Sequence, residues 1–291
     1  MNEFKETLHR DYGQSFAVSK VLLDEKTSHQ HLVIFDNPVY GRVMALDGVI
    51  QTTEKDEFIY HEMFTHVPLL EHGAVKRVLI VGGGDGGILR EVARYPQVES
   101  ITMVEIDEAV VELSKKYFPK HSNGSFNDSR LKLVIDDGLN FIKSCNEKFD
   151  VILSDSTDPI GPGEALFREQ FYQHCRRCLT DDGIVVTQNG VSFLQVDELC
   201  TTQQRMQPHM EKMTFYHAAV PTYIGGNMCY AWGQARGQAP ASLTVLNDRH
   251  QQAKLEGQLK YYNTTLHRAA FALPQYVQDA LHQTTLEENL P

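Results

Sequence analysis

The sequence predicts an α/β fold: a doubly wound sheet of parallel strands and helices, preceded by a small all-β domain. Three observations carry this. Val78-Leu79-Ile80-Val81 is a run of four apolar residues, three of them β-branched, the pattern of a strand buried on both faces. The glycines from Gly82 to Gly87 then turn the chain into Ile88-Leu89-Arg90-Glu91-Val92-Ala93-Arg94-Tyr95, where apolar residues fall at helical spacing. From there strand-like and helix-like segments alternate to about residue 188, which implies parallel strands joined by right-handed crossovers.

Residues 1–54 are read as the N-terminal β-strand domain and 55–291 as the catalytic α/β domain. In the first, Ser15 to Lys26 and His31 to Phe35 are rich in β formers, and Asp36-Asn37-Pro38 marks a turn. Arg42 to Leu46 and Val49 to Thr53 flank Asp47-Gly48, a strong hairpin signal. From Glu54 the pattern becomes helical, with Phe58, Ile59, Met63 and Val67 on one face and Pro68 expected to follow the helix end. Further strands are expected at 101–105, 131–135, 149–154 and 183–188, and helices at 108–118, 139–145 and 167–179. Beyond residue 196 come a helix, a hairpin pair at 214–221 and 228–235, and terminal helices. The stretch 236–255 carries little signal.

Composition narrows the functional classes. The chain has 291 residues with 27 basic and 38 acidic side chains, a net charge of −11. No basic run or basic–aromatic patch stands out, which argues against nucleic acid and suits a cationic ligand. The first residues lack the apolar core of a signal peptide, and no apolar run approaches the length of a membrane span. A cytoplasmic protein, not membrane-associated, is expected. Five cysteines without a secretion signal point to reduced thiols. Cys175 and Cys178 have C-x-x-C spacing, but they share a helical face with Phe171 and Leu179, which makes them small core residues. His61 and His66 are five apart and so on different helix faces; no metal site is assigned.

The functional signal lies in acids at strand ends. In an open α/β sheet, ligands bind beyond the carboxyl ends of the strands, at the switch point. Asp85 follows the first strand, Glu105 ends the second, Asp136-Asp137-Gly138 follows the third and Asp155 ends the fourth. Gly82-x-Gly84-x-x-Gly87 fits a dinucleotide fingerprint, but Asp85 inside the turn would repel a phosphate. A Glu after the second strand suits ribose hydroxyls, and an acid after the third suits an adenine amino group. That second acid favours an S-adenosyl ligand over a nicotinamide one. The first and fourth strands are expected to be neighbours, roughly 4.8 Å apart, so Asp85 and Asp155 would face each other. Asp155 to Gly163 adds Asp158, two prolines and two glycines, loop chemistry suited to a lid. Three carboxylates around one site suit a polycation. An S-adenosylmethionine methyltransferase, a nicotinamide oxidoreductase and a non-catalytic polyamine sensor are the competing readings.

Val81 to Gly87, Val104-Glu105-Ile106-Asp107, Ile135-Asp136-Asp137-Gly138 and Ser154 to Gly163 resemble the spermidine synthase family. Ala45 to Glu54, Tyr60-His61-Glu62 and Pro221-Thr222-Tyr223 resemble it too, over nearly the whole chain and most closely in its bacterial branch. The resemblance implies a Rossmann-like sheet of the S-adenosylmethionine-methyltransferase type with an N-terminal β domain, in a homodimer. It implies transfer of the aminopropyl group of decarboxylated S-adenosylmethionine to putrescine, giving spermidine and 5′-methylthioadenosine. The nucleoside is a co-substrate; no cofactor and no metal are expected. By the same resemblance, Asp155 is the proton acceptor, and Gln30, Glu105, Asp137, Gly138 and Pro162 hold the nucleoside. Asp85 meets the aminopropyl amine, and Tyr60, His61, Ser156, Thr157, Asp158 and Tyr223 form the polyamine pocket, with Gln51 and Gln188 as outlying candidates. His61 departs from relatives that carry Gln there.

Overall fold

The computed structural model describes residues 2–157 and 161–288. Strands β1 (Glu3–Lys5) and β2 (Ser15–Ala17) pair antiparallel. Strands β3 (Lys20–Lys26), β4 (His31–Asn37), β5 (Gly41–Leu46) and β6 (Val49–Thr53) form a four-stranded antiparallel sheet in sequence order. Asp47 and Gly48 have φ of 48° and 84°, so the β5–β6 hairpin has the two positive φ values that its tight turn requires.

Helix α1 (Glu57–His72) leads into β7 (Arg77–Gly82), α2 (Gly87–Ala93), β8 (Ser100–Glu105), α3 (Glu108–Tyr117) and α4 (Pro119–Ser122). Then follow β9 (Leu131–Ile135), α5 (Gly138–Ser144), β10 (Phe149–Asp155), α6 (Glu169–Cys178), β11 (Leu179–Val191) and α7 (Val196–Met206). Strands β12 (Lys212–Ala218) and β13 (Met228–Gln234) precede α8 (Leu243–Gln252), α9 (Thr264–Ala270) and α10 (Gln275–Glu288). The large sheet runs β12-β13-β11-β10-β7-β8-β9. Its five strands from β11 to β9 are parallel, and β13 runs antiparallel to both neighbours.

Side chains alternate across this sheet, as the period of two demands. Val78 and Ile80 pack with Met63, Phe64 and Val67 of α1. Leu79 and Val81 face the other layer, with Phe171, Tyr172, Cys175 and Cys178 of α6. The cysteines are therefore core residues, as their helical face indicated, and both are free. The four-stranded sheet turns Leu32, Ile34, Met44 and Leu46 onto Val110 and Phe118 beside α3. That contact lays the β domain across the carboxyl ends of the parallel strands.

The structure departs from expectation in three places. Helix α1 runs through Pro68 to His72 and is closed by Gly73 in the left-handed conformation (φ 80°). A proline inside a helix costs about 3 kcal/mol. Leu69 and Leu70, only 1% and 2% exposed, offset this, because burying each is worth about 1.5–3 kcal/mol. Strand β11 is longer than expected because its first residue, Leu179, already pairs with Phe149. The stretch without signal contains α8, capped by the Ser242 hydroxyl, which accepts the Val245 N–H at 3.3 Å. Leu246 is its one fully buried residue, which explains the missing periodicity. Among the described residues, no helix is long and apolar enough to cross a membrane.

Candidate active site

The sheet order reverses between β7 and β10, and Asp155 of β10 stands opposite Gly82 of β7. Gly82 has φ 82°, and a Cβ there would strike the Asp155 carbonyl oxygen. The Gly83 N–H donates to that same oxygen at 3.3 Å. The glycine turn and the Asp155 backbone are thus locked together. Above them opens a cavity roofed by the β domain. Gln30, Gln51, Tyr60, His61, Asp85, Glu105, Asp137, Gly138, Asp155, Ser156, Thr157, Gln188 and Tyr223 all line it. Asp158 lies outside the described residues, as does the middle of the loop expected to act as a lid. Pro162 falls in the short 3-10 helix Gly161–Phe167, whose Gly163 and Leu166 reach the cavity.

One end of the cavity combines apolar walls with acids at the strand ends. Val81, Val104, Ile106 and Leu166 give it apolar walls. Glu105 accepts the Asp107 N–H at 3.0 Å. Burial pushes the Glu105 carboxyl up to about 7; backbone N–H bonds restrain the rise and the charges of Asp107 and Asp155 add to it. A Cβ on Gly84 would sit 2.8 Å from Glu105 Oε2, so a larger residue there would displace the carboxyl. Asp137 caps α5 by accepting the Asn140 N–H at 2.9 Å. Gln30 donates to Asp107 Oδ2 at 3.2 Å, and Thr27 donates to the same oxygen at 2.6 Å. The β domain is thereby tied to the cap of α3.

The other end gathers carboxylates and aromatic rings. The Tyr60 hydroxyl donates to Asp155 Oδ1 at 2.5 Å. Burial and then the Asp85 charge raise Asp155 to about 6, against the Tyr60 hydrogen bond and the His61 charge. Asp85 accepts the Gly87 N–H at 2.8 Å, and its other oxygen lies 3.2 Å from His61 Nε2. Burial opposes the ionised form of Asp85, but the His61 charge and the hydrogen bonds from His61 and Gly87 hold it well below the usual carboxylate range. Tyr223 stacks edge-on against Tyr60 at 5.8 Å and donates to the Gln51 carbonyl. The Gln51 side chain itself turns back to the Val49 carbonyl, at 3.2 Å. Gln188 accepts the Gly190 N–H at 2.9 Å and shapes the far wall. His66 points away from the cavity, bridging Tyr95 and Glu91 at 2.7 and 3.0 Å, as its separate helix face implied.

Several residues of the site carry no mark that the sequence reading could use, or one it passed over. Glu57 lies 2.6 Å from His61 Nδ1, at an i,i+4 spacing that is visible in the sequence. His121, on the four-residue α4, meets Thr52 Oγ1 at 3.0 Å; no motif marks it. Asp56 accepts the Thr222 N–H at 2.8 Å and bonds from the Thr222 and Thr53 hydroxyls, which positions the Tyr223 loop. Glu6, Leu8 and His9, between β1 and β2, reach the distal wall.

Comparison with known proteins identifies the chain's relatives. Residues 57–242 match the spermine/spermidine synthase domain, and residues 4–54 match the spermidine synthase tetramerisation domain. The polyamine aminopropyltransferase of Pseudomonas syringae pv. tomato is 58% identical over 98% of this chain and 99% of its own length. That of Serratia proteamaculans is 58% identical over 95% of this chain and 96% of its own. A crystal structure of spermidine synthase in complex with the transition state analogue AdoDATO superimposes with a TM-score of 0.90 at 36% identity, covering 97% of this chain and 95% of that one. Spermidine synthase from Thermotoga maritima gives a TM-score of 0.88 at 35% identity, over 97% and 94%. With both parts of the fold matched and relatives aligned along nearly their full length, the chain belongs to the spermine/spermidine synthase family.

Proposed function

We propose that the chain is an aminopropyltransferase that moves the aminopropyl group of decarboxylated S-adenosylmethionine to putrescine, giving spermidine and 5′-methylthioadenosine. The observation that carries this is the pair of acids at the switch point, Asp85 and Asp155, the second held by Tyr60, at the end of a cavity whose other end suits an adenosyl group. A cationic aminopropyl tail and a diamine fit such an end; a phosphate or a ligand carboxylate does not.

The reaction is an in-line displacement. The amine nitrogen forms a bond to the carbon beside the sulfonium, the C–S bond breaks, and its electron pair neutralises the sulfur as a thioether. The electrophile is already activated, so the nucleophile sets the difficulty. An alkyl amine with pKa about 10 is neutral in about one molecule in a thousand at pH 7, a cost of roughly 4 kcal/mol. In this proposal Asp155 orients the attacking amine and accepts its proton. A carboxyl raised to about 6 is still ionised at neutral pH, and is a stronger base than an ordinary aspartate. Asp85 meets the aminopropyl amine; Glu105, Asp137, Gly138, Gln30 and Pro162 hold the nucleoside. Tyr60, His61, Tyr223, Gln51, Ser156, Thr157 and Asp158 form the diamine pocket.

The division at residue 54, a homodimer, a cytoplasmic location and independence of cofactor or metal complete the proposal. Matches that end at 54 and resume at 57 support the division. The test is incubation with decarboxylated S-adenosylmethionine and putrescine, with the products weighed by mass spectrometry. Spermidine and 5′-methylthioadenosine are expected; a methylated product in a parallel incubation with S-adenosylmethionine and putrescine would establish the methyltransferase reading instead.

A further inference from the structure

His61 is enclosed by acids on both sides. Its Nδ1 lies 2.6 Å from Glu57 Oε2 and its Nε2 lies 3.2 Å from Asp85 Oδ2, with the side chains only 4% and 9% exposed in each pair. A neutral imidazole has one N–H and one lone pair. Between two carboxylates, the lone pair would face an oxygen and repel it. Only the doubly protonated ring satisfies both. Glu57 is itself gripped: Arg90 donates to Oε1 at 3.1 Å and to Oε2 at 2.9 Å. Arg90 also donates to the carbonyls of Lys120 and His121, at 3.2 and 2.7 Å, which anchors α4. The chain Arg90–Glu57–His61–Asp85 therefore leads from the protein interior to the cavity, and only its last two members line that cavity.

We infer that Glu57, held by Arg90, is a positioning residue for aminopropyl transfer: it keeps His61 a cation, so that Asp85 meets the substrate amines with its charge already offset. The inference rests on the aminopropyltransferase reading above. Its physical content is a way around the nucleophile's difficulty. An uncompensated carboxylate near the attacking amine would stabilise the ammonium form, which cannot attack. A fixed imidazolium behind Asp85 reduces that stabilisation, while the Asp85 oxygens still accept hydrogen bonds. Other charged or titratable groups around His61 are Tyr60 on its own helix, 5.6 Å ring to ring and held neutral by burial, His121 from α4, 6.1 Å ring to ring, and Asp155 from β10. Burial pushes His121 down, so it is neutral and adds no competing cation. For His61 burial opposes the charge, but Asp85 and Glu57 together raise it to about 10.

The test starts from the wild-type protein. Nitrogen-15 NMR of its histidines, with His61→Gln assigning the signal, should show His61 doubly protonated up to about pH 9. A wild-type midpoint near the ordinary imidazole value of about 6.5 overturns the inference, whether or not any variant folds. In Glu57→Gln the midpoint should fall by about one pH unit or more. At pH 9 the kcat should fall about tenfold while KM for the diamine holds or decreases, because an uncompensated Asp85 grips the ammonium and keeps its proton. The deficit should widen from pH 7 to pH 9 as His61 loses its charge, and Glu57→Asp should restore both midpoint and kcat. An unmoved midpoint in Glu57→Gln, or a raised KM with kcat intact, also overturns it. A wild type with no aminopropyl transfer at all defeats the functional reading instead, and the His61 titration distinguishes the two failures.

Discussion

Tyr60 and Asp155 meet across two layers of the fold: the hydroxyl from helix α1 donates to the carboxylate at the tip of β10, at 2.5 Å. The bond fixes one carboxylate oxygen. Oδ2, left out of that bond, lies by the glycine turn, where a Cβ on Gly83 would come within 3.4 Å of it. This is the arrangement expected of a base that must take a proton from a nucleophile held in one direction.

Asp155→Asn keeps the shape and removes the proposed proton acceptor. Loss of a general base typically costs about 10² to 10⁴ in rate. Turnover should collapse while 5′-methylthioadenosine binding, measured by calorimetry, survives. A variant within about threefold of wild-type turnover would remove Asp155 from this role.

The pH profile follows from the same bond. Asp155, raised to about 6, is protonated below that pH and cannot accept, so kcat/KM should rise with pH through about 6. The Tyr60 hydrogen bond stabilises the ionised form and so lowers this pKa. Tyr60→Phe should therefore move the acid limb to higher pH, by about half a unit to one unit. Rate measurements from pH 5 to 8 on both proteins decide it; a limb that stays put or moves down contradicts the assignment.

Gly87 shows how closely the turn is fitted to its neighbour. A Cβ there would overlap the His61 ring. Gly87→Ala must push the imidazole away from Asp85 and Glu57, and misplacing a group by about 1 Å can cost about a hundredfold. Turnover should drop about tenfold or more, with circular dichroism reporting an intact fold. A folded variant with full activity would show that the His61 position does not matter.

Much of the site is legible in the sequence because its acids sit where apolar runs end. Asp85, Glu105, Asp137 and Asp155 each follow a strand whose period and β-branched content mark it, and an open parallel sheet gathers such ends into one place. What is not legible depends on register and on distant partners. Arg90 is 33 residues from Glu57, and the two meet only because α1 packs on α2. His121 is brought in by a single helical turn, and Thr52 reaches it across the domain boundary. Pro68 reads as a terminator when local propensity is the only guide; the buried leucines beyond it belong to tertiary packing.

Asp85 also bears on the choice of nucleoside. S-adenosylmethionine carries a carboxylate beside its amine, and the decarboxylated form carries only the amine. In a methyltransferase the amino-acid end of the ligand lies close to the glycine turn, which here holds Asp85 with Asp155 alongside. A ligand carboxylate would meet two like charges, only one of them offset by His61. A bare ammonium would instead gain charge-assisted hydrogen bonds, typically about 1.5–3 kcal/mol each. At about 1.4 kcal/mol per decade, discrimination of at least about tenfold follows. Wild type should bind the decarboxylated ligand more tightly by that margin, and Asp85→Asn should narrow the gap. Titrating both ligands into both proteins calorimetrically measures the ratio directly. If wild type binds the two equally, Asp85 confers no selectivity and serves only to pin His61 and the turn; if Asp85→Asn leaves an unequal ratio unchanged, the selectivity comes from another wall of the cavity.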